Sequence, residues 1–180
     1  ISVVTNAVEK KIGDNTTQSP LYRQSIDSLN RASTTTVVGY IGSLREMEGV
    51  DQTAEAVANL NNNGHDVRLF VLTGQSGQQE LINYCAKLGL SDNAVICGPV
   101  PHEEVAAFYD LIDIFVVSRP DSRVTRLVTP LKPFEAMAMG RAVIASRLPA
   151  LQEIITEGET GLLFDADNVN SLTETITELI

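Results

Sequence analysis

The sequence predicts an α/β fold in three layers, with helices on both faces of a sheet of about six parallel strands. Short apolar runs recur at 37–41, 67–72, 94–96, 114–117, 142–145 and 161–164. Between them lie stretches with apolar residues at helical spacing, near 51–63, 79–88, 103–111, 130–139, 151–157 and 169–180. The runs are apolar almost throughout instead of alternating, as strands covered on both faces are. Strand, helix and strand at this spacing require right-handed crossovers, and hence a parallel, Rossmann-like sheet.

Taken in order, residues 1–5 read as a short strand with no turn or cap before it, as though cut from a longer chain. Residues 6–36 are polar and rich in Ser, Thr, Asn and Gln, with Leu21, Tyr22 and the run 26–29 as anchors for a short helix. We therefore expect a connector over 1–35 and one α/β domain over 36–180. Each of the first three strands is followed by a glycine: Gly42, Gly74 and Gly98. A parallel sheet binds ligands beyond the carboxyl ends of its strands, so these loops, with 118–128 after the fourth strand, are where function is sought. Thr129 and Pro130 read as N-cap and first residue of the next helix. The last helical pattern stops without a terminating Gly or Pro, so this end also reads as cut.

The chain has 180 residues and a formal net charge of -10, which disfavours broad nucleic-acid binding. Its 43% hydrophobic content is spread over short runs, none near the roughly 18 residues of a membrane span. Lys10 and Lys11 are followed by polar sequence, so no targeting peptide is recognisable. Cys85 and Cys97 form no CxxC pair and are expected as reduced, buried thiols. No metal site is expected: no His/Asp ligand cluster is recognisable, and His65 and His102 lie in different loops. Against the acidic background, residues 119–147 gather Arg119, Arg123, Arg126, Lys132, Arg141 and Arg147, with only Asp121 and Glu135 opposing. A helix start inside such a window predicts an anion, and a phosphate in particular.

The run Pro133-Phe-Glu-Ala-Met-Ala-Met-Gly-Arg-Ala-Val-Ile-Ala-Ser146, then Ala150-Leu-Gln-Glu-Ile-Ile155 and Gly161-Leu-Leu-Phe164, resembles the carboxy-terminal half of retaining, family 4 type (group 1) glycosyltransferases of GT-B fold. The likeness begins near Val3 and covers nearly the whole chain. It implies one lobe of a two-lobed enzyme, the one that binds a nucleoside-diphosphate sugar as donor substrate. The missing N-terminal lobe would bind the acceptor, such as a growing polysaccharide or a lipid-linked glycan. No cofactor and no essential metal are implied. Placement is expected in the cytoplasm, with peripheral contact at the inner membrane face where the acceptor is a lipid.

By the same resemblance, Glu135 stands where the family's second motif carboxylate accepts hydrogen bonds from the ribose. The first carboxylate, which reaches the transferred sugar, is replaced by Leu127. Val128, Thr129 and Leu131 stand where backbone amides meet the diphosphate and sugar; Pro130 has none to offer. Val100, after the third strand, is expected at the base, and Gly42 and Ser43 in the first loop. Ser43 and Glu48 occupy two positions where the family carries cations for the diphosphate. We expect that charge to be relocated to Arg45, Arg123, Arg126 and Lys132, with Arg126, Lys132 and Glu135 as the catalytic set. Two other readings stand beside this one: a nucleotide-sugar epimerase lobe, which would need acid/base groups such as His102, and a non-catalytic nucleotide-binding module, suggested by Leu127.

Overall fold

A computed structural model describes residues 19–180; the strand expected at 1–5 lies outside them. Among the described residues the six strands are β1 (Thr36–Ile41), β2 (Val67–Leu72), β3 (Ala94–Cys97), β4 (Ile114–Val117), β5 (Ala142–Ser146) and β6 (Leu162–Phe164). Each lies within a residue of its expected bounds. All pair in parallel in the order β3-β2-β1-β4-β5-β6. Thr36 lies opposite Val67, and Val38 opposite Ile114. From the central pair β1 and β4 the chain winds outward in both directions. The loops leaving these two strands therefore diverge and open a crevice at their carboxyl ends.

The helices are α1 (Pro20–Leu29), α2 (Val50–Asn62), α3 (Gln78–Lys87), α4 (His102–Phe108), α5 (Arg123–Leu127), α6 (Lys132–Ala138), α7 (Pro149–Gln152) and α8 (Val169–Thr177). None is long and apolar enough to cross a membrane. All four residues of β4 are buried, which explains why its sequence Ile-Phe-Val-Val shows no alternation. Phe70 of β2 stacks on Phe108 of α4 at 6.2 Å, and Tyr22 of α1 meets Phe108 edge-on at 5.3 Å. The segment expected as a connector thus supplies α1, with Tyr22 and Leu29, to the core.

Three local expectations are corrected. The stretch 118–128 is not all loop. It contains α5, whose start is fixed by a capping box: the Ser122 side chain accepts from the Thr125 N–H, and Thr125 Oγ1 accepts from the Ser122 N–H. The next helix starts at Lys132, not Pro130. Leu131 is its N-cap and Pro133 its second residue, so Thr129 and Pro130 belong to an irregular segment after Val128, whose backbone is extended (φ -102, ψ 109). Pro133, rather than Pro130, uses proline's missing N–H in the first turn. Lastly, α7 begins at Pro149 instead of 151 and is a single turn.

Gly49 joins β1's loop to α2 at φ 61, and a Cβ there would lie 1.9 Å from the Ser118 carbonyl oxygen after β4. Only glycine lets the two central loops touch. Gly64 is a control: φ is 90, but a Cβ would meet nothing within 4 Å. Gly64→Ala should cost about 1 kcal/mol of unfolding free energy from backbone strain alone. Gly49→Ala should cost at least about 3 kcal/mol, read by urea denaturation; equal losses would contradict the close approach.

Cys85 is buried and Cys97 only half-buried, on the outer strand β3. Burial pushes the Cys85 thiol up to about 11 from an ordinary 9.0. Because the unfolded chain releases this proton first, stability should fall as pH rises from 9 to about 11. Cys85→Ala should flatten that part of the stability-pH curve, and an unchanged slope would remove Cys85 as its source.

Candidate functional site

The crevice between the β1 and β4 loops is held together by buried polar contacts. Ser118, just after β4, donates from Oγ to the Gly49 carbonyl at 2.6 Å, and its hydroxyl lies 2.8 Å from that of Thr53 on α2. Beside them Glu48 and Arg119, each 4% exposed, form a two-pronged ion pair. Arg119 Nη2 donates to Glu48 Oε1 at 3.0 Å and Nε to Oε2 at 3.3 Å, while Nη1 reaches the Val128 carbonyl at 3.0 Å. A buried carboxylate requires such compensation. Arg119 is therefore a structural cation that ties the loop before α6 to the loop before α2.

Lys132, the first residue of α6, adds a second cation. Its Nζ lies 3.5 Å from Glu48 Oε1 and 5.6 Å from the centre of the Tyr40 ring. Its stem crosses the end of β1 above Gly42, where a Cβ would lie 2.2 Å from Lys132 Cε. Glycine at 42 thus makes room for the lysine. One carboxylate and two cations leave a net positive charge of one at the carboxyl edge of β1, and Lys132 is its partly exposed member.

One turn further along α6, Glu135 is half-buried and accepts a hydrogen bond at Oε2 from the Tyr109 hydroxyl at 3.0 Å. Burial, and then the adjacent carboxylate, push the Tyr109 phenol well above its ordinary range, so it stays a donor. Tyr40 is raised likewise, by burial first and then Glu48. The tyrosine leaves Glu135 Oε1 available as an acceptor. At a spacing of three, Lys132 and Glu135 share one side of α6.

The other expected site residues are spread more widely. Ser43 is exposed, and its carbonyl accepts from the Tyr40 hydroxyl at 3.1 Å. Arg45 lines a cavity of about 510 Å³ between α2 and α3, with Leu44, Gly77 and Tyr84. Arg123 is exposed on α5. Arg126, also exposed, donates from Nη2 to Asp121 Oδ2 at 2.6 Å, and this pairing holds the Asp121 carboxyl below its ordinary range. The Val128 N–H is already engaged by the Val124 carbonyl at 2.9 Å, so it is not free to meet a phosphate. The amides of Thr129 and Leu131 meet no protein acceptor among the described residues. Val100 is half-buried in the loop after β3, and His102 is exposed at the start of α4. Leu127 is 72% exposed, and with Val124, Val128, Leu131 and Phe134 it gives the rim an apolar character.

Sequence reasoning missed Arg119 as the loop anchor, Tyr109 as the partner of Glu135 and Tyr40 as the ring beneath Lys132. Only Arg119 carried a signal, as the first basic residue of the cationic window. Tyr40 and Tyr109 read simply as strand and helix packing residues.

A family model described as glycosyl transferases group 1 matches residues 22–180. The D-inositol 3-phosphate glycosyltransferase of Corynebacterium urealyticum is 28% identical over 151 residues, covering 80% of this chain and 34% of that protein. The chain thus spans about a third of that relative's length. Among solved structures, the C-terminal domain of a glycosyl transferase group 1 family protein (LpcC) from Francisella tularensis superposes with TM-score 0.67 at 23% identity, over 80% of this chain and 74% of that one. Anabaena HepE, solved in complex with UDP and glucose, superposes with TM-score 0.70 at 20% identity, over 89% of this chain and 42% of that one.

Two substitutions separate the buried pair from the polar handle on Glu135. Arg119→Met leaves Glu48 without its main partner and should destabilise the fold by about 3 kcal/mol or more. Tyr109→Phe removes one hydrogen bond and should cost about 1 kcal/mol. Comparable losses for the two in chemical denaturation would contradict the burial of the ion pair.

Proposed function

The chain belongs to the group 1 glycosyl transferases, and from that premise we propose that it is the donor-binding lobe of a retaining glycosyltransferase. The site lies where β1 and β4 diverge. The observation that carries this reading is the pairing of Lys132 and Glu135 on one turn of α6, each held by a buried partner. Departure of the sugar leaves negative charge on the diphosphate, and a fixed ammonium is most useful where that charge develops. The sugar itself passes through an oxocarbenium-like state. Glu135, its other oxygen held by Tyr109, is an acceptor suited to the ribose hydroxyls. Arg126 reaches a phosphate only by leaving Asp121, so its part is smaller; Arg123 and the amides of Thr129 and Leu131 complete the rim. Val100 would meet the base, and Gly42 and Ser43 the diphosphate end of the first loop.

A nucleotide bound to the structural neighbour HepE supports a nucleoside diphosphate as the ligand class. The greater length of the curated relatives supports a second lobe that binds the acceptor. A donor of this class implies a cytoplasmic site of action, at the inner membrane face where the acceptor is a lipid. Leu127 and Glu48 favour one second reading, a nucleotide-binding module without transfer, because they replace a carboxylate and a cation of the family pattern.

Calorimetric titration of the 180-residue chain with UDP, GDP and ADP, and with sugars linked to each, tests the proposal. At least one diphosphate should bind. Lys132→Ala should weaken it about tenfold or more, Glu135→Ala by a similar factor, and Arg126→Ala by no more than about threefold, the scale of charge-assisted hydrogen bonds against exposed ion pairs. A wild-type chain that binds none of the three, or Lys132→Ala with unchanged affinity, overturns the assignment.

A further inference from the structure

A carboxylate at a phosphate site should repel the ligand. Glu48 is nonetheless buried at the edge of the crevice, 3.5 Å from the one cation that faces it from α6. Resting on the donor-site reading above, we infer that Glu48 is a positioning residue: it holds Lys132 over the end of β1, with Arg119 there to hold Glu48.

Three constraints support this. The Glu48 carboxylate cannot rotate away, because both its oxygens accept from Arg119, at 3.0 and 3.3 Å. Arg119 cannot serve the phosphate instead, because it is 4% exposed and its third contact is the Val128 carbonyl at 3.0 Å. Lys132 is long and flexible, and an ammonium free in solvent would lose rotamer entropy on meeting a phosphate. Here that loss is already taken. Glu48 Oε1 draws the ammonium inward, the Tyr40 ring lies at 5.6 Å from it, and Gly42 gives its stem a bed that any side chain would fill. The Glu48 charge is cancelled by Arg119, so the field facing the crevice is that of Lys132. This arrangement replaces a cation in the first loop by a carboxylate that fixes a cation from α6.

The rival account makes Glu48 a competitor that draws Lys132 off the phosphate, and the two differ in sign. With UDP, GDP and ADP as probes on the 180-residue chain, Glu48→Gln should weaken the diphosphate that binds wild type by about fivefold or more. In a Lys132→Ala background the same change should alter affinity less than twofold, since Glu48 acts through the lysine. Thermal midpoints recorded alongside separate this from a merely structural role, which would lower the midpoint and leave the affinity of the folded chain untouched. Glu48→Asp keeps a carboxylate for Arg119 but withdraws it from Lys132; it should weaken binding about threefold, and it carries the test if Glu48→Gln does not fold. Unchanged or tighter binding in a folded Glu48 variant, or an equal effect with and without Lys132, overturns the inference while leaving the donor site intact. A wild-type chain that binds no diphosphate overturns both.

Discussion

A carboxylate taken out of water must be met by fixed positive charge, and in this molecule that requirement falls between the two central strands. Glu48 stands in the loop after β1 and Arg119 in the loop after β4, and their ion pair is nearly shut off from solvent. Around it the structure brings backbone to backbone: Gly49 touches the Ser118 carbonyl, and the hydroxyls of Ser118 and Thr53 close the gap. A doubly wound sheet opens a crevice wherever its central loops part, but it does not dictate the crevice's width or sign. Here the ion pair holds the two loops together, and Lys132 beside it supplies the net positive charge. By holding Val128 as well, Arg119 also carries the constraint to the start of α6, where Lys132 and Glu135 stand.

The site is therefore organised in two depths. The inner one is neutral and rigid: Glu48, Arg119, Ser118 and Thr53. The outer one holds groups that can meet a ligand, each steadied from behind, Lys132 by Glu48 and Glu135 by Tyr109. Preorganisation of this kind keeps the cost of ordering side chains out of the binding step. It also explains how a chain with net charge -10 can present a local cation at this crevice. The remaining acidic residues are spread over the surface, where solvent screens them.

The strands were legible because a sheet covered on both faces demands nearly continuous apolar runs; 114–117 is one throughout, and 67–72 departs from it only at Arg68. The helix start at Lys132 was not. Pro130 and Pro133 both suit a first turn, and the choice rests on the extended backbone at Val128, which is held from β4's loop by Arg119. α5 was passed over because five residues give no periodicity; its capping box, Ser122 with Thr125, was the available signal. In the site, Glu135 could be singled out from its place in a family motif, and Lys132 from its place at a helix start in the cationic window. Glu48 read only as a carboxylate in place of a family cation, and its burial was not legible because the arginine that allows it is 71 residues away. Arg45 was placed with the other cations by loop membership, yet its side chain lies on the α2 and α3 side.

Direct observation of the bound ligand bears most closely on the central claim. A crystal structure of the chain with its best-binding nucleoside diphosphate should show phosphate oxygens within hydrogen-bonding distance of Lys132 Nζ above Gly42, with the ribose hydroxyls on Glu135. A nucleotide seated instead in the cavity lined by Leu44, Arg45, Gly77 and Tyr84, with Lys132 still against Glu48, would contradict it.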